Sequence, residues 1–166
     1  MDGKTIAESR VTLGLLMGQE HANPLGNVHG GVIMKFVDEA GALAAMRHAR
    51  CPVVTVVIDS MTFLEPIFVG NLVWFNAELT YAGRTSMEAR IEVVAEDPLT
   101  GTRTHTNLAY VVYVAIDSAR HPQPVPRLIA ETPEEKQRME QARQRQIRRK
   151  QARDNEQPRF PSEETE

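Results

Sequence analysis

A single long helical pattern stands among several strand patterns, and this imbalance constrains the fold more than any other feature of the chain. Residues 31–50 place Ile33, Phe36, Val37, Ala40 and Ala44 on one apolar stripe of 3.6-residue period. Gly41, Ala42, Ala44 and Ala45 keep the segment slim, so other backbone can approach it closely. Cys51-Pro52 ends it, because proline disfavours helical backbone in the residue before it. Strand patterns occupy residues 9–17, 53–63, 72–82, 85–96 and 102–117. Pro66 and Gly70 separate the second from the third, and Gly83-Arg84 and Asp97-Pro98-Leu99-Thr100-Gly101 mark later turns. The last three strands read as an antiparallel meander. One helix cannot cover both faces of such a sheet. The expected solution is an α+β domain: a curved antiparallel β-sheet wraps around one long central helix and leaves its other surface to a partner chain.

The pattern changes near residue 119. Pro122, Pro124 and Pro126 predict an extended linker. Thr132-Pro133-Glu134-Glu135 has the form of a capping box, with Thr at the N-cap, Pro at the first helical position and Glu at the third. The segment behind it is rich in Gln, Glu and Arg. Met139 and Ile147 are its only sizeable apolar residues, which predicts a polar helix fraying in solvent. Residues 154–166 read as disordered. The chain thus divides into a domain over 1–119 and a Pro-containing linker with a charged, partly helical or disordered tail over 120–166, and removal of the residues beyond about 130 is expected to cost the domain little.

The 166 residues suffice for one domain with a real core. A formal net charge of −3 gives no reason to expect nucleic acid or a membrane surface as partner. The run Arg143, Arg145, Arg148, Arg149, Lys150 and Arg153 lacks aromatic interleaving and reads as a solvated basic face. No stretch approaches the ~20 apolar residues of a membrane span. No apolar run behind basic residues suggests a signal peptide at the N-terminus. The single cysteine, Cys51, cannot form a disulfide within the chain, so a reducing cytoplasm is the expected compartment. His21, His48, His105 and His121 show no metal-ligand spacing. Neither a Gly-x-Ser-x-Gly elbow nor a phosphate-binding loop is present.

The chemistry concentrates between residues 23 and 41. His29-Gly30-Gly31 lies where the helical period begins, and Asp38 follows two turns further in. Helix-start N–H groups lack intrahelical partners and carry the positive end of the dipole. They can stabilise an oxyanion, and glycine lets a carbonyl approach them. On a helical wheel Asp38 aligns with Met34, Gly41, Ala42 and Ala45, beside the core stripe. It reads either as a base or nucleophile, or as an exposed helix carboxylate. Glu39 follows Lys35 by four residues and suits an outer-face ion pair. Gly31 and Asp38 lie about 10 Å apart along the axis, so one carbonyl cannot touch both. If they share a site, two antiparallel copies of the helix must supply it. His29 can anchor the loop or contact substrate, and Asn23 can be a turn residue or orient a water or a carbonyl.

The segment from Val11 to Asp117 resembles the hotdog-fold acyl-CoA thioesterases, in the cytosolic acyl-CoA hydrolase and YciA-like branch. The matching text is Asn23…Gly26-Asn27-Val28-His29-Gly30-Gly31, Asp38-Glu39-Ala40-Gly41, Val54-Thr55…Asp59-Ser60-Met61-Thr62-Phe63, Gly83-Arg84-Thr85-Ser86-Met87 and Tyr113-Val114-Ala115. The resemblance implies hydrolysis of acyl-CoA to free fatty acid and CoA, without metal or cofactor. It implies that Gly30 and Gly31 at the helix start polarise the carbonyl, beside His29. It implies that Asp38 activates water or attacks directly, and that Asn23, from the opposite chain, positions water or substrate. It further implies a hotdog dimer, commonly within a trimer of dimers, with Arg84, Thr85 and Ser86 near CoA. Met61 and Phe63 are candidates for lining the acyl tunnel. Two alternatives within the same fold are a non-catalytic acyl-CoA sensor and an acyl-thioester dehydratase or hydratase.

Overall fold

The computed structural model describes residues 2–155. In chain order its elements are β1 (Lys4–Thr5), α1 (Ile6–Ser9), β2 (Val11–Leu16), a 3₁₀ turn (Gln19–His21), α2 (Gly30–Ala49), β3 (Val53–Phe63), β4 (Leu72–Ala82), β5 (Ser86–Glu96), β6 (Arg103–Ala115), β7 (Leu128–Ile129) and α3 (Pro133–Asn155). The main sheet is antiparallel, in the order β2-β4-β5-β6-β3, with the meander at its centre. α2 packs against every strand of that sheet. Its buried residues Ile33, Val37, Ala40, Ala44 and Ala45 meet alternate residues of the strands, among them Phe75, Ile91 and Val111. The small residues along α2 let the sheet curve around it.

Two short elements escaped the strand reading of residues 9–17. Thr5 caps α1, accepting a hydrogen bond from the Glu8 N–H while its own N–H donates to Glu8 Oε2 at 2.7 Å. This Thr-x-x-Glu capping box was visible in the sequence, and it delays the strand to Val11. β1 pairs in parallel with β7, so the proline linker is tied back to the N-terminus.

The tail differs most from expectation. α3 is not a solvated appendage, and the outer face of the sheet is not left bare for a partner. α3 lies across that face. The side it turns inward carries Glu135, Arg138, Ala142, Arg145 and Arg149, a helical stripe written mostly in charge. Arg145 bonds Glu88 at 2.7 Å and Arg149 bonds it at 2.8 Å, and the Glu88 side chain is fully buried. Arg149 also reaches Asp59 at 3.1 Å, and Arg138 reaches Glu78 at 3.3 Å. The Arg145 guanidinium sits 3.8 Å over the Tyr110 ring. Arg10 bridges Glu78 and Glu135, and the Thr132–Glu135 capping box closes reciprocally. The helix continues through Asn155. From residue 156 on, the stretch read as disordered lies outside the described residues.

β3 forms one edge of the sheet and pairs only with β6 among the described residues. It is largely exposed on both faces, Val56 at 55% and Ile58 at 41%, and the neighbouring α2 residues Met34, Leu43 and Met46 are exposed too.

His48, in the last turn of α2, is fully buried and lies 2.9 Å from the Pro126 carbonyl through Nε2. Burial strips water from the imidazolium and holds its pKa below the ordinary value. The unfolded chain therefore takes up a proton that the folded chain refuses. Stability is complete above the unfolded pKa of about 6.5 and declines as pH falls below it. The melting temperature is expected to drop on acidification from about pH 7.5 to 5.5, and to drop less in His48→Gln. For α3, Arg145→Ala is expected to cost on the order of 3 kcal/mol in denaturant unfolding, because it strips a buried carboxylate of a partner. Replacing Glu88 and Arg145 together by leucine should cost less than Arg145→Ala alone.

Candidate functional site

The loop before α2 is held by its own polar side chains. Asn23 Oδ1 accepts from the N–H groups of Leu25 at 2.9 Å and Asn27 at 3.2 Å. With that oxygen committed to the turn, the Nδ2 amide hydrogens are what Asn23 can offer a ligand. His29 is the N-cap of α2. Its Nδ1 accepts from the Gly31 N–H at 2.9 Å, and its own N–H donates to the His21 carbonyl at 2.8 Å. The loop-anchoring role considered for His29 is thus the one its contacts describe. The Gly31 N–H faces the His29 ring in this arrangement, so a ligand oxygen must share or displace that bond.

A cleft of about 260 Å³ opens at this end of α2, lined among others by Asn23, Gly30, Ile33, Phe63, Ile67 and Asn107. Gly30 lies against Phe63: a Cβ there would stand 3.4 Å from the ring. The structure therefore brings Asn23, Gly30 and Phe63 together. Met61 is partly buried against the core instead.

Asp38 does not line this cleft. Its carboxylate points along β3 and β6, where Thr55 Oγ1 donates to Oδ1 at 2.8 Å. The Tyr113 hydroxyl donates to the Asp38 carbonyl at 3.0 Å and to Oδ1 at 3.2 Å. Burial pushes the Tyr113 phenol well above its ordinary value, and the Asp38 charge and hydrogen bond add to the shift. Tyr113 thus stays protonated and remains a donor. Both hydroxyls converge on Oδ1 and leave Oδ2 to act. Neither Thr55 nor Tyr113 was singled out from sequence as a site residue. The available signal was a polar residue in the apolar run Val53–Ile58 and a tyrosine at an inward position of β6. Glu39 lies 3.7 Å from Lys35 in the outer-face pair expected of it.

Arg84, Thr85 and Ser86 belong to neither place. They form the β4–β5 turn and line a separate groove of about 630 Å³ with Val56, Val57 and Lys150 of α3. The backbone carbonyls of Arg84 and Thr85 accept from Val125 and Ala115, which fixes the turn.

Comparison with known proteins identifies the family. Residues 25–102 match the thioesterase superfamily. The acyl-CoA thioester hydrolase YciA of Salmonella typhimurium is 39% identical over 108 residues, covering 63% of this chain and 80% of that protein. The chain belongs to the thioesterase superfamily. It has the hotdog fold of that family. The cytosolic acyl coenzyme A thioester hydrolase of Mus musculus is 38% identical over 112 residues, 64% of this chain, but these span only 29% of the mouse protein. The chain therefore matches less than a third of that relative's length. Among solved structures, the acyl-CoA hydrolase of Staphylococcus aureus, in complex with butyryl coenzyme A, coenzyme A and coenzyme A disulfide, superposes with a TM-score of 0.85. It shows 33% identity, over 92% of this chain and 93% of that one. An apo-hexameric acyl-CoA thioesterase gives a TM-score of 0.88 at 36% identity, over 92% of this chain and 97% of that one. The Staphylococcus enzyme has also been solved as alanine variants of an asparagine, an aspartate and a threonine. These three residues have the same spacing along its chain as Asn23, Asp38 and Thr55 have here.

Within this thioesterase-family chain, Gly41 permits the Tyr113–Asp38 contact. A Cβ on Gly41 would run into the Tyr113 hydroxyl oxygen and approach Ile91 Cδ1 at 3.0 Å. Gly41→Ala is expected to lower stability by about 1–3 kcal/mol through overpacking, read as a fall in unfolding midpoint. The displaced Tyr113 should fluoresce differently from the wild type.

Proposed function

We propose that this chain hydrolyses acyl-CoA thioesters to free fatty acid and CoA, in a site built from two copies of the chain. The observation that carries this reading is the separation along α2. Gly31, at the carbonyl-binding end beside the Asn23 loop, and the oriented carboxylate of Asp38 lie on one helix but seven residues apart. The rise of 1.5 Å per residue puts them about 10 Å from each other. A second α2 running antiparallel brings the Asp38 of one copy to the Gly31 end of the other. The exposed apolar edge of β3 beside Met34, Leu43 and Met46 is the surface such a pairing would cover, and the hexameric thioesterase of the same fold supports assembly of this kind.

In this site the acyl carbonyl oxygen lies toward the Gly31 N–H and the Asn23 amide hydrogens. Asp38 Oδ2, its companion oxygen pinned by Thr55 and Tyr113, removes a proton from water as the water oxygen bonds to the carbonyl carbon. Collapse of the tetrahedral intermediate breaks the C–S bond, and the proton held on Asp38 goes to the departing sulfur. Direct attack by Oδ2 through a mixed anhydride uses the same geometry. Preorganised donors aimed at the developing oxyanion are the main electrostatic contribution available here. Arg84, Thr85 and Ser86 are proposed to meet the phosphorylated end of CoA. A cytoplasmic location is supported by the cytosolic mouse relative and by the single cysteine of the chain.

Incubation with acyl-CoAs of graded chain length and a thiol-trapping dye should release free CoA from at least part of the series. Release of none would favour a sensor, and formation of hydrated or dehydrated acyl-CoA would favour the other enzymatic alternative. Asp38→Asn should fold and lose roughly 10²–10⁴-fold in kcat. Mixing Asp38→Asn with Asn23→Ala after subunit exchange should restore partial activity, because one of the two shared sites in each heterodimer is then intact. No recovery despite proven exchange would place the two residues in one chain's site.

A further inference from the structure

The cleft at the start of α2 is also lined by Asn107, whose chemistry no step above uses. Asn107 lies on β6 in line with Ala109, Val111 and Tyr113, at an inward position where its neighbours are core residues. It is 2% exposed. Its Nδ2 donates to the Thr62 carbonyl at 3.0 Å, and that bond identifies which end of the amide is nitrogen. The other end, Oδ1, is buried and has no hydrogen-bond partner among the described residues. Buried acceptors are almost always paired, so an unpaired one on a residue that lines a cleft points to a ligand that supplies the donor.

The backbone around Asn107 is shaped to hold it there. The β5–β6 register passes from Val93↔Asn107 to Val94↔His105, so Thr106 is an extra residue in a β-bulge. Thr106 Oγ1 bonds the Val93 carbonyl, and the Leu64 N–H bonds the Thr106 carbonyl at 2.8 Å, which fastens the end of β3 against the same bulge. A bulge re-aims the side chains beside it and is over-represented next to active sites.

We propose that Asn107 Oδ1 is the acceptor that positions the hydrolytic water. This rests on the thioesterase reading given above. Asn23 and Asn107, both lining the cleft, differ in which end of the amide is already engaged. Asn23 has spent its oxygen on the turn and offers N–H, which suits the thioester oxygen. Asn107 is turned with its nitrogen on the Thr62 carbonyl and its oxygen unpaired, and that oxygen repels a carbonyl oxygen and accepts only from a hydrogen-bearing group. Neither the thioester nor the acyl chain carries such a hydrogen near the reacting carbon. Water does. One O–H of the water donates to Asn107 Oδ1, the other passes its proton to Asp38 of the second copy, and the oxygen lone pair bonds to the carbonyl carbon. Asn107 exchanges no proton, and its contribution is orientation.

The test measures steady-state hydrolysis and melting temperature for wild type, Asn107→Leu and Asn107→Asp. Leucine keeps the volume and removes the acceptor, whereas aspartate keeps Oδ1. The expected result for Asn107→Leu is a kcat at least tenfold lower, a KM within about twofold, and a melting temperature no lower than wild type. Asn107→Asp should recover turnover relative to leucine. A folded Asn107→Leu with wild-type kcat would overturn the proposal, as would a raised KM at unchanged kcat, which would assign Oδ1 to an amide N–H of the pantetheine arm. A lowered melting temperature with intact kcat would make Asn107 a strut for Thr62. Should Asn107→Leu not fold, Asn107→Ala carries the same comparison. A wild-type protein that releases no CoA from any acyl-CoA would instead refute the thioesterase reading, a result distinct from all of these.

Discussion

The close seating of α2 in the curved sheet is the constraint on which the other features rest. It depends on side-chain size. Ala40, Gly41, Ala44 and Ala45 give the strands room to approach, and at Gly41 no atom beyond hydrogen can be accommodated before the Tyr113 hydroxyl is struck. Tyr113 in turn spans from the sheet to the helix and takes hold of Asp38 through both its carbonyl and its carboxylate. One glycine therefore links core packing to the orientation of the group proposed to do the chemistry. A core that is merely apolar and of suitable volume would fold, but it would not fix that carboxylate.

The elements that obey simple periodicity were legible in the sequence. The predicted limits of β3 and β4 coincide with those observed, and α2, β5 and β6 differ by a residue or two at their ends. The relation of Gly31 to Asp38 was legible too, because helix rise is a fixed quantity. α3 was not legible. Its buried stripe is Glu135, Arg138, Ala142, Arg145 and Arg149, and an amphipathicity argument looks for apolar side chains at those intervals. The complementary charges, Glu78, Glu88 and Asp59, are spread over three strands far away in sequence. Pairing of that kind belongs to tertiary structure and has no local signature.

The site was half legible for a related reason. Sequence spacing identified the residues on α2 and its preceding loop, since they are neighbours along one element. Thr55 and Tyr113 reach Asp38 from strands, Asn107 reaches the cleft from one of the same strands, and their placement comes from pairing register. Inward and outward positions of β6 are decided by the bulge at Thr106, and a shift of one residue would reverse them. Asn23 shows the opposite case. It reads as a turn residue or as an amide that orients a water or a carbonyl, and its oxygen closes the turn while the residue lines the cleft.

The place of β3 in the sheet has a consequence for how the chain acquires its fold. β4, β5 and β6 are joined by short turns and can pair as soon as each emerges. β3 precedes them in sequence, yet among the described residues its only strand partner is β6, the last of the three. The strand richest in exposed valine and isoleucine must therefore wait through the synthesis of two others before it acquires even one neighbour. Such non-local pairing slows folding and prolongs the exposure of an aggregation-prone segment. The nascent chain is most vulnerable in the interval between the appearance of Val53 and that of Ala115.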